Sequence, residues 1–386
     1  MRPLRIGIIA AEPSGDLLAA GLMKALRERL PAVRFEGVAG PLMRDIGIDE
    51  WETMDSLSVM GLFEVLRHLP RLLRLRSMLA ARWRETPPAA FIGVDAPDFN
   101  LALECHLRDA GVPTVHYVSP TVWAWRTGRV RTIRRATDLL LTIFPFERDF
   151  LAAHDVAARY VGHPLACDMP LRPDRRGARA ALGLEAGRPV LALLPGSRRG
   201  EVARLARPFL QTALRLRREF AELQVVVPLV SAATGQLFEQ ERARTAADLP
   251  LVTASGGSRL ALAAADVVLT ASGTATLEGL LSKRPMVVGY KVSAATYHAA
   301  RLLRLVKGEH VAMANLLAGE RLAPERIQGD CEPEQLLPPL RRFLHQPALR
   351  EQVAERYRDI HLALRMDTHR EAANAVIGLL QARGLA

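Results

Sequence analysis

Val190-Leu191-Ala192-Leu193-Leu194-Pro195-Gly196-Ser197-Arg198-Arg199-Gly200-Glu201 lies at the middle of a chain of 386 residues. Five apolar residues with the character of a buried strand run into a glycine-bearing turn and then into a helical stretch, Arg204–Phe220. The same order opens the chain. Ile6–Ala11 is an apolar run, Glu12-Pro13-Ser14-Gly15-Asp16 follows it, and Leu17–Leu30 carries apolar residues at helical spacing. The pattern starts twice, and a polar, proline-flanked segment at Arg172–Arg176 separates the two starts.

Working outward, Phe91–Val94, Thr114–Val118 and Leu139–Ile143 are further short apolar runs in the first half. Leu223–Leu229, Val267–Thr270 and Met286–Tyr290 are their counterparts in the second. Strands alternating with helical stretches such as Leu101–Ala110 predict parallel sheets covered on both faces. The fold class is therefore α/β, two Rossmann-like doubly wound domains facing a cleft, with a helical C-terminus. The expected domains are 1–170, 171–345, and C-terminal helices over 346–386 that pack back on the first domain.

Lys and Arg total 52 against 41 Asp and Glu, a formal net charge of +11, with 49% hydrophobic and 24% charged residues. This composition excludes a disordered or collagen-like chain. The positive excess leaves three classes of partner: nucleic acid, an anionic membrane surface, or phosphorylated substrates. Cys105, Cys167 and Cys331 are scattered without metal-ligand spacing, which favours a reducing cytosol. No uncharged stretch approaches the ~18–20 residues of a membrane span, so any membrane contact is expected to be peripheral.

The turns carry the chemistry. Ser14 and Gly15 offer small side chains and free amides to an anion, although a plain helix cap would use the same residues. Asp95-Ala96-Pro97-Asp98-Phe99-Asn100 places two carboxylates where a strand ends, and a carboxylate there suits a general base on a hydroxyl. Asp98 or Asn100 serves equally as a cap, and the residues alone leave open whether Asp95 or Asp98 is the base. Trp123 and Trp125 lead into Arg126, Arg129 and Arg131, an aromatic wall beside a phosphate clamp, a nucleic-acid stacking surface, or a core pair before a basic helix.

In the second half, Arg198 stands at a turn apex where a diphosphate leaving group needs positive charge, and Glu201 follows. Ser272-Gly273-Thr274 offers hydroxyls and amides at a helix start, and Glu278, one turn in, can accept both hydroxyls of a ribose. Val59, Met60, Leu62, Phe63, Leu66 and Leu69, interleaved with Arg67, Arg71 and Arg74, form a basic apolar segment. It suits either an anionic bilayer or a core helix with a solvated face.

Together these motifs resemble the lipid-A-disaccharide synthase family, nucleotide-sugar glycosyltransferases of the two-Rossmann (GT-B) type. The likeness is carried by Glu12–Asp16, Val38–Pro41, Val59–Gly61, Asp95–Asn100, His116–Pro120 with Val122–Trp125, and Gly162-His163. It continues through Leu194–Arg198, Ser272–Glu278, Pro285–Tyr290 and Asn315–Gly319, in family order. The resemblance implies an inverting transfer that joins UDP-2,3-diacylglucosamine to 2,3-diacylglucosamine 1-phosphate, without metal or cofactor. It implies Asp95 as general base and Arg198, Glu201, Ser272, Gly273, Thr274, Glu278 and Asn315 around the UDP-sugar. Ser14, Gly15, Asp98, Trp123 and Arg126 would then lie on the acceptor side, and Val59–Leu79 against acyl chains. The implied setting is cytoplasmic, on the inner leaflet of a Gram-negative inner membrane, with no nucleic acid among the partners and a homodimer among the expected assemblies.

Overall fold

The computed structural model describes residues 3–57, 62–123, 128–229, 231–255, 257–293, 297 and 310–385, and within 62–68 only the course of a helix. The chain divides into unit 1, Met1–Cys167 with Leu364–Ala386, and unit 2, Asp168–Ala363.

Unit 1 is built on a parallel sheet of β1 (Arg5–Ala10), β2 (Arg34–Ala39), β3 (Asp49–Thr53), β4 (Ala90–Val94), β5 (Thr114–Tyr117), β6 (Leu139–Thr142) and β7 (Ala158–Tyr160), ordered β3-β2-β1-β4-β5-β6-β7. Winding reverses between β1 and β4. The helix α1 (Pro13–Arg29) covers one face with Leu18, Leu22, Met23 and Leu26. The other face is covered by α3 (Leu62–Glu85) and α4 (Pro97–Asp109), through Leu79, Trp83, Leu103 and Leu107. Strands buried on both sides need unbroken apolar runs, and β1 and β4 have them. Between Pro41 and Asp168 the chain also forms α2 (Pro41–Ile46), α5 (Arg129–Ala136), α6 (Pro145–Ala152) and α7 (Pro164–Asp168).

Unit 2 repeats the plan with β8 (Val190–Leu194), β9 (Gln224–Pro228), β10 (Val252–Ala254), β11 (Val267–Ala271), β12 (Met286–Tyr290) and β13 (Glu325–Ile327). All neighbours are parallel in the order β10-β9-β8-β11-β12-β13, and winding reverses between β8 and β11. Its helices are α8 (Arg175–Ala181), α9 (Arg199–Glu219), α10 (Ala232–Thr245), α11 (Ser258–Ala264), α12 (Thr274–Leu281), α13 (Met313–Ala318), α14 (Pro333–His345) and α15 (Pro347–Leu364). The segment expected as a linker at Arg172–Arg176 runs into α8, because the Asp174 side chain accepts from Gly177 N at 2.9 Å and caps it.

The last two helices, expected as one C-terminal segment over 346–386, part company. All of α15 but its final residue lies in unit 2, whereas α16 (Thr368–Ala382) belongs to unit 1. There Ala372, Ala373, Val376 and Leu380 join the core beneath α1. Gly21 of α1 makes the approach possible, since a Cβ on it would lie 2.2 Å from the His369 ring.

One side chain anchors α3. Trp83 is fully buried, donates its indole N–H to Glu36 Oε1 at 3.0 Å and packs edge-on to Phe91. Gly7 beneath it leaves the room, because a Cβ there would stand 2.9 Å from the indole. Trp83→Ala leaves a cavity and strips Glu36 Oε1 of its donor, with only the Arg5 guanidinium left 3.5 Å from Oε2, so it should cost about 3–5 kcal/mol. Urea unfolding of unit 1 measures it, and a loss below about 1 kcal/mol would mean that α3 is held elsewhere.

Candidate active site

In unit 1 the expected residues gather at the carboxyl ends of the strands, where doubly wound sheets bind ligands beside the reversal. Gly15, in the first turn of α1, lies over Ala10 and Val94, the last residues of β1 and β4. Ser14 is exposed beside it, but the helix cap is Glu12, which makes no side-chain capping bond. Asp16 has a task the sequence did not announce. It is buried, and its carboxylate accepts from Leu42 N at 2.9 Å and Met43 N at 3.0 Å, so it caps α2 rather than facing a ligand.

Asp95 leaves β4 on a turn in which it and Ala96 both take left-handed backbone conformations, φ 53° and 44°. Val118, at the end of neighbouring β5, has φ 81°. Such conformations cost non-glycine residues about 1–3 kcal/mol each and cluster where geometry serves function. The half-buried Asp95 carboxylate has no hydrogen-bond or ion-pair partner among the described residues, while its amide donates to Tyr117 O at 2.8 Å. Asp98 is different. It is exposed and ion-paired with Arg129 of α5.

Further along the same edge Trp123 is half-buried, edge-on to Phe146, and donates its indole N–H to Glu147 Oε1 at 3.3 Å. Glu147 Oε2 also accepts from Phe144 N at 3.2 Å, closing the start of α6. Despite these donors, burial pushes the Glu147 carboxyl up to about 8. Phe144 packs on His163, which burial pulls down to about 4 and whose Nδ1 accepts from Leu165 N. Arg126, Val59 and Met60 lie outside the described residues, as do the side chains of Leu62, Phe63 and Leu66. On the described part of α3, Leu69, Leu73 and Met78 are 40%, 41% and 47% exposed.

In unit 2 the turns after β8 and β11 flank the second reversal. Arg198 precedes α9 with its guanidinium 85% exposed and 3.3 Å from Glu201 Oε1. Glu201, expected to face the UDP-sugar, turns back on its own loop and accepts from Ser197 N at 3.1 Å and Arg198 N at 3.3 Å. Gly196 at φ 115° makes that fold-back possible, because a Cβ there would lie 2.5 Å from Glu201 Cβ. After β11, Gly273 (φ 135°) and Thr274 are exposed at the start of α12, and Ser272 Oγ donates to Val311 O at 2.9 Å. Glu278 is half-buried and accepts from Ser258 Oγ at 2.6 Å through Oε2.

Asn315, expected around the UDP-sugar, has internal partners. It is fully buried, its Nδ2 donates to Ala323 O and Glu325 Oε1, and its Oδ1 accepts from Ala323 N. With its side-chain polar atoms so engaged, it braces the loop into β13. A cavity of about 670 Å3 in unit 2 lies between residues 320–326 and the helices α14 and α15, and includes none of the expected residues. Among the described residues no three His, Cys, Asp or Glu side chains group as a metal site would require.

Two doubly wound parallel sheets, each with one reversal, are the GT-B architecture, which glycosyltransferases and UDP-sugar epimerases share. Solved structures of low identity share the fold. One is a UDP-GlcNAc 2-epimerase from Neisseria meningitidis bound to UDP-GlcNAc, with TM-score 0.59 and 10% identity, covering 98% of this chain and 100% of that one. Another is WaaG, a glycosyltransferase involved in lipopolysaccharide biosynthesis, with TM-score 0.55 and 14% identity, covering 97% and 100%. The family model for lipid-A-disaccharide synthetase matches residues 6–377. The lipid-A-disaccharide synthase of Xanthomonas oryzae pv. oryzae is 50% identical over 385 residues, 99% of this chain and 89% of that protein. That of Escherichia coli is 47% identical over 380 residues, 98% and 99%. The chain belongs to the lipid-A-disaccharide synthase family and is a glycosyltransferase of lipid A biosynthesis.

Glu147 and His163 make opposed contributions to stability. Between its ordinary value of 4.5 and about 8, Glu147 keeps a proton in the folded state that the unfolded chain has lost, so stability falls as pH rises. His163 lacks, between about 4 and 6.5, a proton that the unfolded chain holds, so its part rises with pH. Each slope is about 1.4 kcal/mol per pH unit, so the two cancel up to pH 6.5 and only the decline remains from there to about pH 8. Glu147→Gln should abolish that decline in urea titrations at pH 5, 6.5 and 8. A difference between variant and parent that does not change with pH would show Glu147 ionised throughout.

Proposed function

We propose that the enzyme joins UDP-2,3-diacylglucosamine to 2,3-diacylglucosamine 1-phosphate with inversion, using Asp95 as general base. The observation that carries this reading is the unpaired, half-buried Asp95 carboxylate on a strained turn beside the sheet reversal, against an Asp98 already tied to Arg129. The acceptor 6-hydroxyl passes its proton to Asp95 as its oxygen bonds the anomeric carbon from the face opposite UDP. The bond from that carbon to the diphosphate breaks, and UDP leaves with the bonding pair. On unit 2, the exposed guanidinium of Arg198 and the amides at the start of α12 supply charge and donors for the departing diphosphate. Glu278, with Ser258 holding one oxygen, is suited to accept from ribose hydroxyls through the other. The family membership supports the substrates, and the Trp123–Phe146 pair offers a wall on the acceptor side.

The working surface in this reading is an anionic inner leaflet. Among the described residues no helix is long and apolar enough to cross a membrane. The exposed Leu69, Leu73 and Met78 with Arg71 and Arg74 give α3 the make-up of an interfacial helix.

Asp95→Ala should lower kcat by roughly 10²–10⁴ while the UDP Kd stays within about twofold, and Asp98→Ala should stay within about threefold of the parent. UDP release assays and calorimetry measure both, and a near-native Asp95→Ala would move the base elsewhere. Replacing Leu69, Leu73 and Met78 together by Ser should weaken binding to anionic vesicles by about tenfold or more. Turnover of detergent-dispersed substrates should persist. Unchanged co-sedimentation would place the docking surface off this helix.

A further inference from the structure

The helix α4 is fastened to the strand pair β4–β5 at two buried points, and the first of them grips the backbone of Asp95. Asn100 is fully buried, and its Nδ2 donates to Asp95 O at 2.8 Å and Val94 O at 3.4 Å. Those carbonyls begin and end the backbone of the left-handed turn at Asp95, so one amide group spans it. A helical turn further on, Glu104 reaches the strand pair, its Oε1 2.7 Å from His116 Nδ1, with both side chains fully buried. Gly93, whose register partner on β5 is His116, makes room for both fasteners. A Cβ on it would lie 2.2 Å from Glu104 Oε1 and 2.8 Å from Asn100 Cβ.

As packing alone this arrangement is costly. Asn100 Oδ1, Glu104 Oε2 and His116 Nε2 are buried with no hydrogen-bond partner among the described residues. Each such group costs about 1–3 kcal/mol, and well-packed apolar side chains in place of a buried charged pair are often neutral or stabilising. The adjoining turn adds two strained residues. A costly polar network beside a strained turn is what holding one carboxylate in one direction requires. Strain persists only where neighbouring contacts over-determine it.

We propose that Asn100 is a positioning residue for the transfer, holding the Asp95–Ala96 turn so that the Asp95 carboxylate meets the acceptor hydroxyl, while the Glu104–His116 pair pins the helix that carries it. The inference rests on Asp95 being the base. Without the amide, the Asp95 peptide is free to relax out of its left-handed conformation and swing the carboxylate. A displacement on the order of 1 Å costs about a hundredfold in rate.

The test is a double-mutant cycle on the full-length enzyme, comparing Asp95→Ala, Asn100→Ala and the double variant by single-turnover kinetics. UDP affinity and urea stability are measured on each. Asn100→Ala is expected to lower kcat by about 10²-fold, with KM for the UDP-sugar and the UDP Kd within about twofold. Because Asn100 acts through Asp95, the double variant should be no more than about threefold slower than Asp95→Ala alone. If the losses multiply on a slow Asp95→Ala background, or Asn100→Ala keeps more than a third of the rate, the role of Asn100 is overturned and the base assignment stands. If Asp95→Ala itself is near-native, the base assignment falls, and the role of Asn100 with it. Should Asn100→Ala not fold, Asn100→Ser, which keeps a short donor, and Asn100→Asp, which replaces the donor with an acceptor, carry the same cycle to the same criteria.

Discussion

A parallel sheet has to send every chain crossing over one of its faces, and where the winding reverses, two neighbouring strands send their helices to opposite faces. No connection covers the carboxyl ends at that point. In unit 1 the gap lies between β1, followed by α1 on one face, and β4, followed by α4 on the other. In unit 2 it lies between β8 and β11. Four turns border the two gaps, and they hold Gly15, Asp95, Arg198 and Gly273. Burial of both sheet faces makes the strands rigid enough to carry strained turns, so the constraint that opens the gap also stiffens its rim.

The excess of positive charge divides in the same way. Much of the arginine is structural. Arg179 is buried, with its guanidinium on Asp266 Oδ2 at 2.7 Å and on the carbonyls of Ala264 and Arg188. Arg108 and Arg383 share the Asp138 carboxylate. Arg198 differs from these, since among the described residues its ion pair is with Glu201, an acid whose other oxygen holds the loop amides, and its guanidinium faces solvent. Solvent-exposed positive charge at a strand end is available to a diphosphate, whereas arginines bound to internal carbonyls are not.

Legibility in the sequence follows burial. Ile6–Ala11, Phe91–Val94, Val190–Leu194 and Val267–Thr270 stand out as apolar runs because both faces of β1, β4, β8 and β11 are covered. β2 escapes notice because Glu36 and Gly37 interrupt it. The first is satisfied by Trp83, 47 residues away, and the second lies so close to β1 that a Cβ would meet Ile8 O at 2.2 Å. β3, β7, β10 and β13 are edge strands of three to five residues and lack the double burial that marks the others. Among the site residues, Asp95 is legible from its place at a strand end. The internal duties of Glu201 and Asn315 are not, because their partners are backbone groups and a loop that only the folded chain brings near.

Five acidic side chains of unit 1 show why position at the reversal is not enough for a base. Asp16 is buried at the gap, and each of its oxygens accepts from an amide that starts α2, so its carboxylate is committed to that cap. Glu147 is raised to about 8 by burial and holds Trp123 and its own helix start, which suits a neutral brace. Glu104 is raised by burial against the pull of His116 and has no exposed surface to meet a substrate. Asp98 is accessible, yet its carboxylate is already ion-paired with Arg129. Asp95 alone among the five combines an unpaired carboxylate, partial exposure and a backbone held from both sides, by Tyr117 O and by Asn100. A general base needs a free lone pair, access to the hydroxyl and a fixed direction, and of these five carboxylates Asp95 is the one that offers all three, which supports its proposed role.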